Sequence, residues 1–439
     1  GSPKVNSKGL VVGYEQSGKT ANFIGLLAKA ADVGYNLIIV LTGTKEKLRS
    51  QTQTRIDNDL CSLNPGKLVL KTYVNKDFRK PPDSPEAWFN STNQTSILIV
   101  KKNKTILSNF IDWVKYGKTS TELNKVETVE AVRSQAKTLI IDDEADEASI
   151  NVSRHDDMSQ IYEKIVTIRQ ILPKSAFVGF TATPFANVLI DHKTFNGHNL
   201  YPNNFIINLP KPSGYFGAQE VFGRRRTQSE IDDIGTDEDI KGIDVIRDIP
   251  HHEILDLKPQ RNSLVDDFKP KINKTLRTAI DYFLISTCIK IARLGKLDHT
   301  TMFVHTHVRA KIQIKTIKII IKYIEVIRSK FENENIELMD HLKNIWDEEI
   351  NKVERKDNEK KIEFKEAMNF FDYVSENLIV TMVNTSRDAR ELPKLDYKKE
   401  HEDEPGKIYL VVGGNILSRG LTLEGLTVSY FLRTSSMYD

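Results

Sequence analysis

The sequence predicts an α/β protein built from two parallel-sheet domains, residues 1–200 and 273–439, with an inserted linker region at 201–272. Three observations point to it. Short apolar runs alternate with helical runs in both halves, the pattern of parallel strands covered on both faces. Prolines 202, 210, 212, 250 and 259 and an acidic segment, eight acidic against two basic residues from Glu230 to Asp248, separate the halves. A chain of 439 residues, at about 150 per domain, is long enough for two or three cores.

The first half opens on an apolar strand at 8–12 (KGLVV), a glycine loop and a helical run over 19–31. A buried-type strand at 36–41 (NLIIVL) precedes a polar helix over 45–60, and a third strand at 96–100 (SILIV) precedes a helix over 104–113. Strands four and five fall at 138–141 (TLII) and 176–180 (AFVGF). In the second half a helix over 273–293 leads to a strand at 301–305 (TMFVH) and a long helix over 308–331. A charged helical stretch, 333–377, follows, and then strands at 378–383, 407–412 and 427–431. No repeat of 20–50 residues runs through the chain.

Composition is that of an ordinary globular protein, 39% hydrophobic and 28% charged. No apolar run is long enough to span a membrane, and the polar start Gly1-Ser2-Pro3-Lys4 resembles a cleaved-tag scar more than a signal peptide. Cys61 and Cys288 stand far apart, which excludes a disulfide framework or zinc ribbon and fits a reducing cytoplasm. The net charge of +3 does not by itself mark a nucleic-acid binder.

The strongest chemical signal is Gly13-Tyr14-Glu15-Gln16-Ser17-Gly18-Lys19-Thr20, which matches G-x-x-x-x-G-K-[ST] between a strand and a helix. Gly13 and Gly18 let the backbone curl so that its N–H groups, with Gln16 and Ser17 in the loop, surround phosphate. Lys19 is expected to reach the β- and γ-phosphates of ATP, and Thr20 to bind Mg²⁺. The second signal is an apolar strand running into Asp142-Asp143-Glu144-Ala145-Asp146. Carboxylates at a strand's carboxyl end sit where open α/β sheets bind ligands. Asp143 is expected to hold Mg²⁺ through water and Glu144 to orient and deprotonate the attacking water. The third is Thr181-Ala182-Thr183-Pro184 after the fifth strand, where a hydroxyl such as that of Thr183 can sense a phosphate.

The order of these motifs, with Ile416 to Leu426 as a candidate motif V, resembles the superfamily-two helicases. Within that superfamily the wording around Lys19, Asp142 to Asp146, Phe180 to Asn187 and Leu417 to Thr422 resembles the Z-one domain family. Those are bacterial helicase-like ATPases encoded beside endonucleases and methylases in anti-phage clusters. The resemblance implies two RecA-like domains with ATP between them, and Ser418, Arg419, Gly420 and Thr422 facing the nucleotide, Arg419 in a catalytic role. Thr422 stands where many relatives carry an acidic ribose contact. The family's arginine-finger segment comes after motif V, and this chain stops at Asp439 before it. The second domain is therefore expected to be incomplete, and the chain to bind ATP but hydrolyse it poorly.

Nucleic-acid contacts are expected at the carboxyl ends of the second and third strands, at Thr42, Thr44, Lys101 and Lys102. Lys311, Lys315, Lys318 and Lys322 form one helical stripe that suits phosphates or plain solvent. A calcium loop at Asp237 to Asp248 is rejected because Lys241 takes a ligand position. His305 and His307 share a strand face without an evident third metal ligand. The expected function is a Mg²⁺- and ATP-dependent translocase core acting on DNA, with RNA as the other polymer and a nuclease or other defence subunit as partner. The alternative is a nucleotide-gated scaffold that recruits a nuclease without unwinding.

Overall fold

A computed structural model describes residues 7–14, 17–89, 93–116, 136–147, 160–189, 199–259, 265–307, 309–352, 360–383, 392–397, 401, 403–414 and 422–432. The chain divides into two compact units, Gly1–Glu220 and Val221–Asp439.

The first unit is built on strands β1 (Lys8–Val12), β2 (Leu37–Thr42), β3 (Leu68–Leu70), β4 (Thr95–Lys101), β5 (Thr138–Asp143), β6 (Ser175–Thr181) and β7 (Phe205–Asn208). They form one sheet in the order β3-β4-β2-β5-β6-β1-β7, with every neighbouring pair parallel. All carboxyl ends therefore lie on one edge.

Alternation along the strands builds a core on each face. Leu37, Ile39 and Leu41 of β2, Leu98 and Val100 of β4, and Ile140 of β5 face one side. There they meet Phe110 and Trp113 of the helix Lys104–Tyr116 and Tyr162 and Ile165 of the helix Gln160–Ile171. Ile38, Val40, Ile97, Ile99 and Ile141 face the other side, against Phe23, Ile24 and Leu27 of helix α1 (Lys19–Asp32). Each such buried side chain contributes about 1.5–3 kcal/mol.

The structure adds detail to the sequence expectations at three places. The polar helix is α2 (Glu46–Ile56), which relaxes into a π turn at Asp57–Cys61. The fourth strand runs two residues beyond Ile141, so Asp142 and Asp143 belong to the sheet and point to opposite faces. The stretch 201–272 carries regular structure: β7 pairs with the edge of β1, and Gly223–Arg224 pairs with Ile240–Lys241 in a short antiparallel ribbon.

The second unit has strands Thr300–His305, Leu378–Val383, Ile408–Gly413 and Leu426–Phe431 in a four-stranded sheet, again with parallel neighbours. Its core also takes Leu257 from the helix His251–Leu257. The helix Lys274–Leu294 is capped by the Asn273 side chain, which accepts from Leu276 N–H, and ends at Gly295 with φ +68°. The charged stretch after residue 333 is not one helix. It breaks into Ile336–Glu348, Phe364–Met368 and Phe371–Glu376. Buried Asp281 ties three helices together, accepting from Tyr323 Oη at 2.8 Å and pairing with His341 Nε2 at 2.9 Å. No described helix is long and apolar enough to cross a membrane.

Candidate functional site

Because the first sheet is wholly parallel, the ends of β1, β6 and β5 stand side by side. Val12 is level with Thr181, and Phe180 is level with Asp143. The glycine loop leaves β1 at Gly13, whose N–H donates to Thr181 O at 3.0 Å. A Cβ at Gly13 would lie 3.1 Å from both Leu209 Cδ1 and Lys19 Cγ, so the glycine leaves room for the lysine stem. The loop closes on itself through Ser17 Oγ, which donates to Tyr14 O at 2.6 Å. Gly18 starts α1 in the left-handed region, φ +87°, and among the described residues no side chain caps that helix. The first-turn N–H groups are thus left for an anion. Lys19 is buried, and its ammonium donates to Tyr14 O at 3.1 Å. Thr20 sits in the same first turn, half-buried. Gln16 lies outside the described residues.

Opposite this loop is the acidic box. Asp143 points to the face that α1 covers, because it shares that face with Ile141. Burial, and then the neighbouring charge of Glu144, push its carboxyl up to about 7, while Lys102 and Lys19 pull the other way. Burial and Asp146 likewise raise Glu144, again opposed by Lys19 and Lys102. Both carboxyls therefore feel the lysine of the glycine loop, yet burial and neighbouring carboxylates outweigh it. An uncapped helix start, a lysine resting on a backbone carbonyl and a carboxylate in want of a cation suit a phosphate group with a divalent metal. Asp143 and Thr20 are the residues that would hold the metal.

The box is braced from several sides. Ala145 N–H donates to Phe180 O at 3.0 Å, and Asn187 Nδ2 donates to Ala145 O at 3.0 Å. Thr181 and Thr183 hydroxyls donate to the two oxygens of Asp146 at 2.7 and 3.0 Å. Thr183, expected to sense phosphate, is thus engaged by the box itself. The four residues expected to touch nucleic acid divide. Thr42 is buried and donates to Val100 O. Thr44 donates to Glu147 Oε1 at 2.9 Å. Lys101 pairs with Glu46 at 2.9 Å and stays partly exposed. Lys102 turns inward: its ammonium lies 2.7 Å from Asp142 Oδ1 with neither side chain exposed, so it cannot present its charge to a backbone outside. The desolvated Asp142, on the face opposite Asp143, draws it in. Sequence reasoning missed Asn187, Glu147 and the inward course of Lys102. Only Asn187 had a local signal, as part of the string after Thr183. Arg419, Gly420 and Ser418 lie outside the described residues, and Thr422 is exposed.

On the lysine stripe of the helix Ala310–Glu332, Lys311 pairs with Asp266 at 2.7 Å. Lys315 donates to the carbonyls of Asp266 and Phe268.

A G-x-x-x-x-G-K-[ST] loop that opens a helix, two strands away from a carboxylate-ended strand in a parallel sheet, is the strand–loop–helix arrangement of P-loop α/β folds. Residues 275–439 match the family model of the Z1 domain. No curated protein matches the sequence. Among solved structures the chain is similar to S. cerevisiae Dbp5 bound to RNA and ADP BeF3, at 11% identity over 98% of this chain and 71% of that one, TM-score 0.39. It is also similar to the Pyrococcus furiosus Hef helicase domain, at 13% identity over 99% and 88%, TM-score 0.36. The Sulfolobus solfataricus SWI2/SNF2 ATPase core in complex with dsDNA matches at 9% identity over 94% and 74%, TM-score 0.29.

Proposed function

We propose that this chain is the core of an ATP-hydrolysing translocase of superfamily-two type that moves along or remodels DNA. The observation that carries this reading is the convergence of Lys19 with Asp143 and Glu144 at one edge of the first sheet, where Lys19 acts on both carboxyls.

In this reading the loop N–H groups and Lys19 bind the triphosphate and orient its terminal phosphate. Mg²⁺, once bound at Thr20 and Asp143, supplies charge neutralisation of the phosphate oxygens. Glu144 positions a water and takes its proton, and burial and Asp146 raise its carboxyl, which makes it a better base than a free carboxylate. Thr181 and Thr183, through Asp146, report the position of the box to the end of β6. Arg419 and Gly420 are assigned to the nucleotide by resemblance alone, as the catalytic cation and a backbone contact. Thr44 and the partly exposed Lys101 are the first-unit residues assigned to the nucleic acid. A bacterial, cytoplasmic defence role with a nuclease among the partners is assigned by the motif resemblance to the Z-one domain family alone.

ATPase activity measured with and without single- and double-stranded DNA or RNA tests the proposal. Turnover stimulated by DNA is expected. A chain that neither binds nor hydrolyses ATP would end this reading. ATP binding with no movement on DNA in a single-molecule assay would instead make the protein a nucleotide-gated scaffold.

A further inference from the structure

We infer that Lys102 is a positioning residue for ATP turnover, which rests on the ATPase reading: its buried ammonium sets the backbone of Glu144. The side chain reaches this place through the strand order. β2 lies between β4 and β5. Lys102 follows the last residue of β4, and its N–H donates to Thr42 O at the end of β2 at 3.3 Å. From there the ammonium meets three oxygens, Asp142 Oδ1 at 2.7 Å, Glu144 O at 2.5 Å and Glu147 O at 2.9 Å. Two of these contacts are hydrogen bonds to the backbone, and Asp142 stands beside them at ion-pair distance.

Two of those acceptors belong to the turn that carries Glu144, whose φ is +58°. A side-chain-bearing residue holds that left-handed conformation only when its surroundings impose it. The turn is closed from within by Glu147 N–H donating to Glu144 O at 2.8 Å. Lys102 binds the same carbonyl and the carbonyl of Glu147, and so clamps both ends of the turn. Asp142 supplies the counter-charge that keeps the ammonium inside. A buried ion pair adds little stability over apolar side chains of similar size. What Lys102 and Asp142 provide that such side chains would not is the direction of the Glu144 and Glu147 carbonyls. The carboxylate of Glu144 is aimed from that backbone, and a small displacement of a general base is enough to slow proton transfer severely.

The test compares the parent chain with Lys102→Met and with Lys102→Met/Asp142→Leu. The double variant removes both charges together, at a position that borders a small cavity with Gly9, Ala145 and Gly179. Thermal melting, affinity for a fluorescent ATP analogue with Mg²⁺, and single-turnover hydrolysis with protein in excess are measured on each. The single variant is expected to melt lower, since the buried Asp142 loses the ammonium beside it. The double variant is expected to recover the parental melting temperature, to bind the nucleotide within about threefold of the parent, and to hydrolyse it at least about tenfold more slowly. A folded double variant that hydrolyses ATP at the parental rate overturns the inference and leaves the ATPase reading intact. So does a loss of affinity as large as the loss of rate, since the whole site would then have collapsed. A parent that neither binds nor hydrolyses ATP removes the ATPase reading and the inference together.

Discussion

The hydroxyl of Thr181 donates to Asp146 Oδ1 at 2.7 Å, joining the end of β6 to the last carboxylate of the acidic box. Thr183 binds the second oxygen of the same carboxylate at 3.0 Å and its N–H takes the Thr181 hydroxyl as acceptor at 2.9 Å. A carboxylate held by two hydroxyls couples two loops that are far apart in sequence. Thr181→Val and Asp146→Asn should each destabilise the protein by about 1–2 kcal/mol. In a double-mutant cycle read by urea unfolding they should couple by about 1 kcal/mol. Strictly additive losses would mean that the two groups do not act together.

Lys19 and Glu144 should separate binding from chemistry. Lys19→Ala removes the main cation for the triphosphate, and calorimetry should show nucleotide affinity falling by more than about a hundredfold. Glu144→Gln keeps the shape of the side chain and loses the base. It should bind ATP as the parent does and lose at least about a hundredfold in turnover. Equal loss of binding in both variants would assign Glu144 to structure.

The carboxyl of Asp143 makes the nucleotide-free protein sensitive to pH. Burial and Glu144 hold it up to about 7, against about 3.9 in an unfolded chain. Between those values the folded state binds the extra proton, so folding stability falls as pH rises from about 4 to 7. Glu144, raised in the same direction, adds to the slope. Melting temperatures of Asp143→Asn, taken from pH 5 to 8 without Mg²⁺, should be flatter than the parent's and higher at pH 8. An unchanged slope would show that Asp143 is not the group responsible.

Lys101 remains the cation of the four expected nucleic-acid residues that still reaches solvent, with Glu46 as its partner at 2.9 Å. Lys101→Ala should weaken DNA binding to a similar degree for every sequence and lower the slope of log affinity against log salt by about one. Fluorescence anisotropy at several salt concentrations reads this directly. A variant with the parent's slope would place the DNA track elsewhere.

Much of this molecule is legible in its residues alone, because the signals are local. Leu37 to Leu41 and Ile97 to Val100 can satisfy their apolar side chains only as buried strands, and Gly13 to Thr20 encode a turn and a helix start in adjacent residues. β7 is not legible in that way, since Phe205 to Asn208 become a strand only when the edge of β1 is there to pair with them. Gly179 is a similar case. Its Cβ would stand 2.9 Å from Ala145 Cβ, so the glycine is required by an acidic box that reaches it from another strand.

The sequence by itself determined where the glycine loop, the acidic box and most strands lie, because periodicity, glycine placement and charge act between neighbours in the chain. Only the tertiary structure decided the fate of individual charges. Lys101 and Lys102 are adjacent and chemically alike, yet one meets Glu46 near the surface and the other is enclosed beside Asp142. The pleat sends successive side chains to opposite faces, and the order β4-β2-β5 sets which of them finds a buried carboxylate. Strand order comes from pairing between distant segments, and no local pattern records it.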